Sequence, residues 1–185
     1  EDGAVVRSGK WGDVLRMEDG NAKFLLQSAY AERLDSMSAP TFTIDEATDE
    51  QKKKIDFQRI HRSIKRFTDA HNRGDVSALT NEFTEDAVRV VSGLSGVHAG
   101  HDAIRKSFES KWSGEVDLAS GSVLKARVLH TTPINANLVA GAGIWWLTSS
   151  EGEVIDGGYW GNVFRTQGDE VKLLLECAGS QSATN

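Results

Sequence analysis

The chain contains a single cysteine, Cys177, in 185 residues. An internal disulfide is therefore excluded, and cysteine usage leaves the compartment open. Long apolar runs are also missing: none approaches the ~20 residues that a bilayer-spanning helix needs, which predicts a soluble domain without membrane contact. Basic clusters are equally scarce, since Lys52-Lys53-Lys54 is the longest Lys/Arg block and the formal net charge is −6. A nucleic-acid binder needs a positive footprint for the phosphates, so that class of partner is disfavoured. Nor is there a nucleophile elbow, a phosphate-cradling glycine loop or a Cys-His pair. His98 and His101 form an H-x-x-H without a third ligand at a recognisable spacing, so neither a metal nor another cofactor is expected.

What is present is periodicity. Ile60, Ile64, Phe67 and His71 recur at steps of four, three and four, which is one face of an α-helix. Thr48-Asp49-Glu50-Gln51 has capping-box spacing, in which the Thr hydroxyl and the Gln side chain both satisfy free amides, and places the helix start near Asp49. Gly74 ends the helix. Asp75 caps a second one carrying Val76, Leu79 and Phe83. After an acidic turn at Glu85-Asp86 come the β-branched run Val88 to Val91, a glycine-rich loop, and a helix with Ile104, Phe108 and Trp112 at four-residue steps. Four β-rich runs follow: Val123 to His130, Leu138 to Leu147, Val154 to Thr166 and Val171 to Ala178. Their separators, Thr132 to Asn135, Ser149 to Glu153 and Gln167 to Glu170, are short enough for hairpins. Helices first and a meander afterwards read as α+β. Within the last run, Val171, Leu173, Leu175 and Cys177 alternate as one buried strand face.

Residues 1–47 read as an extension, 48–180 as the domain and 181–185 as a tail. Asp19-Gly20 suggests a hairpin, whereas Leu26, Tyr30, Leu34 and Met37 at helical steps suggest a helix from about Ala22. The favoured reading is a short strand or coil around Trp11, then that helix, then an irregular link through Pro40. The extension would pack outside the domain or form a lid or swapped arm over a cavity mouth. A start at Glu1 is compatible with removal of a leader and export or with a trimmed cytoplasmic chain.

The segments "NRGDVSAL", "FTEDAVRV", the glycine loop and "GHDAIRKSF" together resemble the nuclear transport factor 2-like superfamily, in its SnoaL-like and ketosteroid-isomerase-like branches. The similarity covers Thr48 to Gly179. It implies a cone: a strongly curved antiparallel sheet wrapped around N-terminal helices, enclosing an apolar cavity and pairing through its outer sheet face as a homodimer. In the isomerase branch a tyrosine donates to the developing oxyanion, and that position is Phe67 here. A carboxylate shuttles the proton, and that position is Val91. A protonated acid completes the oxyanion hole, and that position is Asn162, which still offers a donor. Steroid-type isomerisation is therefore not expected.

Strand alternation puts Asp156, Gly158, Trp160 and Phe164 on the face of Asn162, with Tyr159, Val163 and Arg165 opposite. The glycines would leave room for ligand. Trp145 and Trp146 are adjacent, so one faces in and the other out toward a partner copy; which is which stays open. Arg89 also stays open, since the family register turns it inward and the alternation of Val88 and Val90 turns it outward; inward, it would favour an anionic ligand. His71 lies on the inward helical face, and His130 shares a strand face with Leu124, Ala126 and Val128. A His130 to Asp156 pair is the best available base. Candidate catalytic residues are thus His130, Asp156 and His71. Candidate ligand contacts are Phe67, Val91, Trp112, Trp160, Asn162, Phe164 and Arg89. Three functions fit: binding of a small apolar or aromatic molecule, which leads; a cofactor-independent cyclase, dehydratase or isomerase; and a homo-oligomeric association module.

Overall fold

The computed structural model describes residues 7–18, 21–33, 44–92, 94, 96–112 and 121–180. Strands β1 (Arg7–Glu18) and β2 (Asn21–Arg33) form an antiparallel hairpin. Helices α1 (Asp49–Lys52), α2 (Ile55–Asn72) and α3 (Val76–Asn81) follow. Then come β3 (Phe83–Val91), β4 (His98–Ala99), α4 (His101–Trp112), β5 (Val123–Asn135), β6 (Leu138–Thr148), β7 (Val154–Gln167) and β8 (Glu170–Ser180). The second sheet is six-stranded, curved and unclosed, in the order β4-β3-β8-β7-β6-β5. All its neighbours are antiparallel except β3 and β8.

The α2 face predicted from periodicity is the one buried: Ile60, Ile64 and His71 are buried and Phe67 packs at the edge of the same core. Across from it stand Phe83, Val128, Val139, Phe164 and Leu173 of the sheet, with Leu79 of α3 and Ile104 and Phe108 of α4 closing the same core. The C-terminal end of α2 is fastened to β5 by both polar atoms of Asn72, whose Nδ2 donates to Leu124 O at 2.9 Å while Oδ1 accepts Leu124 N at 2.8 Å. Gly74, at φ 65°, and Asp75, which accepts Ala78 N, make the corner into α3 as predicted.

Several boundaries differ from the sequence expectation. Thr48 does accept Gln51 N, but the Gln51 side chain does not reach back to close a capping box. Its Nε2 pairs with His130 Nδ1 at 2.7 Å and its Oε1 accepts Thr131 N at 3.2 Å, pinning α1 to β5, and the main helix starts afresh at Ile55. Phe83 opens β3 rather than closing α3, and Glu85 and Asp86 lie within that strand. Pro133 lies inside β5, where it is tolerated because β5 is the sheet's edge. The helix expected from about Ala22 is strand β2 as far as Arg33, so the hairpin reading holds there; Asp19-Gly20, Leu34, Met37 and Pro40 lie outside the described residues.

The β1–β2 hairpin lies on the outer face of the main sheet. A Cβ at Gly12 would stand 3.5 Å from both Cβ and Sγ of Cys177 and 3.8 Å from Leu175 Cδ1. Cys177 is buried, as expected, but not on the face of Val171 and Leu173. The pairing of β8 slips between Leu173 and Leu175 against both neighbours, and that bulge turns Leu175 and Cys177 outward and Glu176 inward.

Candidate functional site

A cavity of about 260 Å³ opens between α2 and the inner face of the sheet. From α2 come Ile64, Phe67, Thr68 and His71, one helical stripe. From β3 come Arg89 and Val91, and from β5 Leu124 and Ala126. The far wall is aromatic, with Trp145 of β6 and Trp160 of β7. Both indole N–H groups are satisfied by backbone, Trp145 Nε1 donating to Gly179 O at 3.2 Å and Trp160 Nε1 to Ile144 O at 3.1 Å. The ring faces are thereby held in place as apolar walls.

Glycines shape that wall, though not by leaving room for ligand. A Cβ at Gly143 would collide with the Trp160 ring and with the carbonyl of Arg127, and one at Gly158 would collide with the carbonyl of Gly179. The space freed at Gly143 belongs to Trp160 and to the β5 backbone at Arg127, and that at Gly158 to the close approach of β8.

The polar side of the cavity is built around a buried ion pair. Arg89 and Glu176 are 4% and 8% exposed, and Arg89 Nε donates to Glu176 Oε2 at 2.6 Å. Arg89 Nη1 also donates to Ser107 Oγ at 3.0 Å, and its guanidinium lies 4.3 Å above the Phe108 ring. Arg89 is thus inward, as the family register implied, but its charge is already matched. This undercuts the expectation that an inward Arg89 favours an anionic ligand. Asn162 is 3% exposed, and its Oδ1 accepts the backbone N–H of Cys177 at 3.0 Å. The β7–β8 ladder has no paired residues between Trp160↔Ala178 and Val163↔Leu175, so Asn162 supplies the acceptor that the strand does not. That bond also fixes the amide's orientation and leaves Nδ2 as the donor.

Of the ten residues singled out in the sequence, His71, Asp156, Phe67, Val91, Trp160, Asn162 and Arg89 line this cavity. Phe164 is fully buried in the core beneath it, within 3.1 Å of where a Gly141 Cβ would stand. Trp112 ends α4, and its side chain lies outside the described residues. His130 is not brought to the cavity. The β5–β6 register slips between Val128 and His130, which turns His130 to the opposite face from Ala126 and Val128, exposed and bonded to Gln51 and Thr132. A His130–Asp156 pair is therefore not formed. Trp145 is the inward tryptophan; Trp146, on the other face, is 9% exposed, with Arg127 stacked 5.6 Å above it. The outward tryptophan is therefore buried within the single chain, whether or not a partner copy lies against that face.

Glu176 was missed in the sequence because the alternation of Leu173, Leu175 and Cys177 assigned it outward. The available signal was chemical, a lone Glu within Leu-Leu-Leu-Glu-Cys-Ala and a lone Arg within Ala-Val-Arg-Val-Val, each in need of the other. Ser92 and Ser180 also line the rim, with Ser180 N donating to Ser92 Oγ at 2.9 Å. His101 Nε2 lies 3.0 Å from Phe83 O, and among the described residues no group of His, Cys, Asp and Glu could hold a metal ion. No described helix is long and apolar enough to cross a membrane.

Comparison with known proteins places this architecture. No family profile matches the sequence, and no curated protein sequence matches it. Solved structures do match. An NTF-2-like protein of unknown function from Shewanella oneidensis is 17% identical with a TM-score of 0.53, covering 66% of this chain and 97% of its own. A ketosteroid isomerase-like protein from Erwinia carotovora atroseptica is 14% identical with a TM-score of 0.53, covering 68% and 95%. A domain of unknown function with a cystatin-like fold from Nostoc punctiforme is 14% identical with a TM-score of 0.56, covering 75% and 80%. The chain has the nuclear transport factor 2-like fold.

Proposed function

We propose that this chain binds a small, largely apolar aromatic molecule at the mouth of the cone that the fold implies, without ketosteroid-isomerase chemistry. The observation that carries the reading is the pairing of two anchored tryptophan walls, Trp145 and Trp160, with a polar side whose one cation is already matched by Glu176. Such a site gains affinity from buried aromatic area and has a single oriented amide, Asn162, to set the ligand's direction. Phe67 and Val91 in the cavity wall offer neither the donor nor the base that double-bond isomerisation needs. The volume, just below the ~300 Å³ at which drug-sized pockets begin, suits one or two fused rings.

A second reading, a cofactor-independent lyase or isomerase, draws support from His71 and Asp156, which both line the cavity and could move a proton. Homodimerisation through the outer sheet face has less support, since Trp146 and Cys177 on that face are already buried within one chain.

The test is a titration with an apolar fluorophore and competition by small aromatic compounds. Binding should be saturable and competitive, and Trp160→Ala should weaken both partners. Absence of any binding by the unaltered protein removes the reading. The second reading is judged by turnover of a candidate cyclase or dehydratase substrate in His71→Ala and Asp156→Asn: unchanged turnover in both rejects it.

A further inference from the structure

The open stretch of the β7–β8 ladder places a donor and an acceptor side by side in the cavity wall. Asn162 and Glu176 stand on adjacent strands inside the gap between Trp160↔Ala178 and Val163↔Leu175, and both line the cavity. Asn162 spends Oδ1 on Cys177 N, so its Nδ2–H group points its remaining capacity elsewhere. Glu176 spends Oε2 on Arg89 Nε. Among the described residues neither Asn162 Nδ2 nor Glu176 Oε1 has a hydrogen-bond partner, and neither is sealed from the cavity as a buried orphan.

Resting on the binding reading above, we propose that the ligand is a neutral aromatic hydroxyl compound, whose O–H donates to Glu176 Oε1 and whose oxygen accepts from Asn162 Nδ2. A hydroxyl does both at once. An ether or a plain hydrocarbon cannot donate, so it would leave the buried carboxylate oxygen without its bond. A carboxylate ligand would find the wall's guanidinium, Arg89, already answered by Glu176. Arg89 cannot turn to such an anion without abandoning Glu176 and Ser107. An ammonium ligand would satisfy Glu176 but offers no lone pair to Asn162.

The experiment is calorimetric titration of the unaltered protein with naphthalene, 2-naphthol, 2-methoxynaphthalene, 2-naphthoate and 2-naphthylmethylammonium. The expected result is 2-naphthol tightest, ~10- to ~100-fold tighter than 2-methoxynaphthalene, the range for one hydrogen bond to a charged group. The paired variant Arg89→Met/Glu176→Leu removes the acceptor without stranding a buried charge; it should bring 2-naphthol and 2-methoxynaphthalene to equal affinity. Should that variant not fold, the ligand series on the unaltered protein decides alone. Equal binding of naphthol, its methyl ether and naphthalene overturns the hydroxyl assignment and leaves the aromatic-binding reading standing. Tightest binding of the naphthoate or of the ammonium compound overturns it too, and no binding of any of the five overturns both.

Discussion

The indole of Trp160 occupies the space that any side chain at position 143 would need. An ideal Cβ built on Gly143 comes within 2.6 Å of Trp160 Cε2, and the same ring donates to Ile144 O. The cavity's aromatic wall thus depends on a glycine one strand away. Gly143→Ala should displace both Trp160 and the β5 backbone at Arg127, whose carbonyl stands closer still to that Cβ, costing at least the roughly 1–3 kcal/mol of overpacking and weakening aromatic ligands. Urea unfolding and tryptophan emission measure the two effects; an unchanged midpoint and spectrum would contradict the packing described.

The Arg89–Glu176 pair makes a prediction about stability that differs between single and double substitutions. Both groups are buried, so Arg89→Met alone strands a carboxylate and should cost about 3–5 kcal/mol. Replacing both partners with apolar residues should recover most of that loss. A double-mutant cycle by denaturant unfolding checks it, and additive single effects would mean that the two groups do not act as a pair.

Cys177 owes its burial to the hairpin. Its thiol faces Gly12, where a methyl group would stand at ordinary contact distance, 3.5 Å from Sγ, and larger side chains would extend from there. Gly12→Ala should therefore leave Cys177 slow to react with an aromatic disulfide reagent, while Gly12→Leu should lift the hairpin and accelerate the reaction at least ~10-fold, as expected when local opening controls access. Equal rates in the unaltered protein and Gly12→Leu would show that something other than β1 shields the thiol.

Asp86 should add a small, acid-labile increment to stability. Arg165 binds its two oxygens at 2.8 and 2.9 Å, and chiefly this hydrogen bonding lowers the Asp86 carboxyl from 3.8 to about 2. A depressed carboxylate pKa stabilises the fold above the unfolded value and ceases to do so as pH falls through the folded one. The stability advantage over Asp86→Asn should be small at neutral pH, because the pair is exposed. It should shrink between pH 3.8 and about 2, and weaken with added salt. Thermal unfolding across that window tests it; an advantage that grows on acidification would contradict the assignment.

Where one period acts alone, the sequence and the fold agree. The stripe Ile60, Ile64, Phe67, His71 became the buried face of α2, and the alternation Trp160, Asn162, Phe164 became the inner face of β7. Where two periods fit the same residues, the reading failed. Leu26 and Tyr30 are four apart, a step that returns to the same side of a helix and also to the same side of a strand, and β2 is a strand. Bulges were the other source of error. A single extra residue in β5 moved His130 out of the site, and another in β8 moved Glu176 into it, because an alternation pattern carries no mark of where its phase will slip.

If the proposed site binds ligand, Trp145 and Trp160 wall it while Trp146, on the other face of the same strand pair, does not. Titrating the ¹⁵N-labelled protein with 2-naphthol and following the indole N–H resonances tests it directly. The Trp145 and Trp160 signals should shift saturably with a common Kd while the Trp146 signal stays in place. Saturable shifts confined to Trp146, or none at Trp145 and Trp160 up to millimolar ligand, would contradict it.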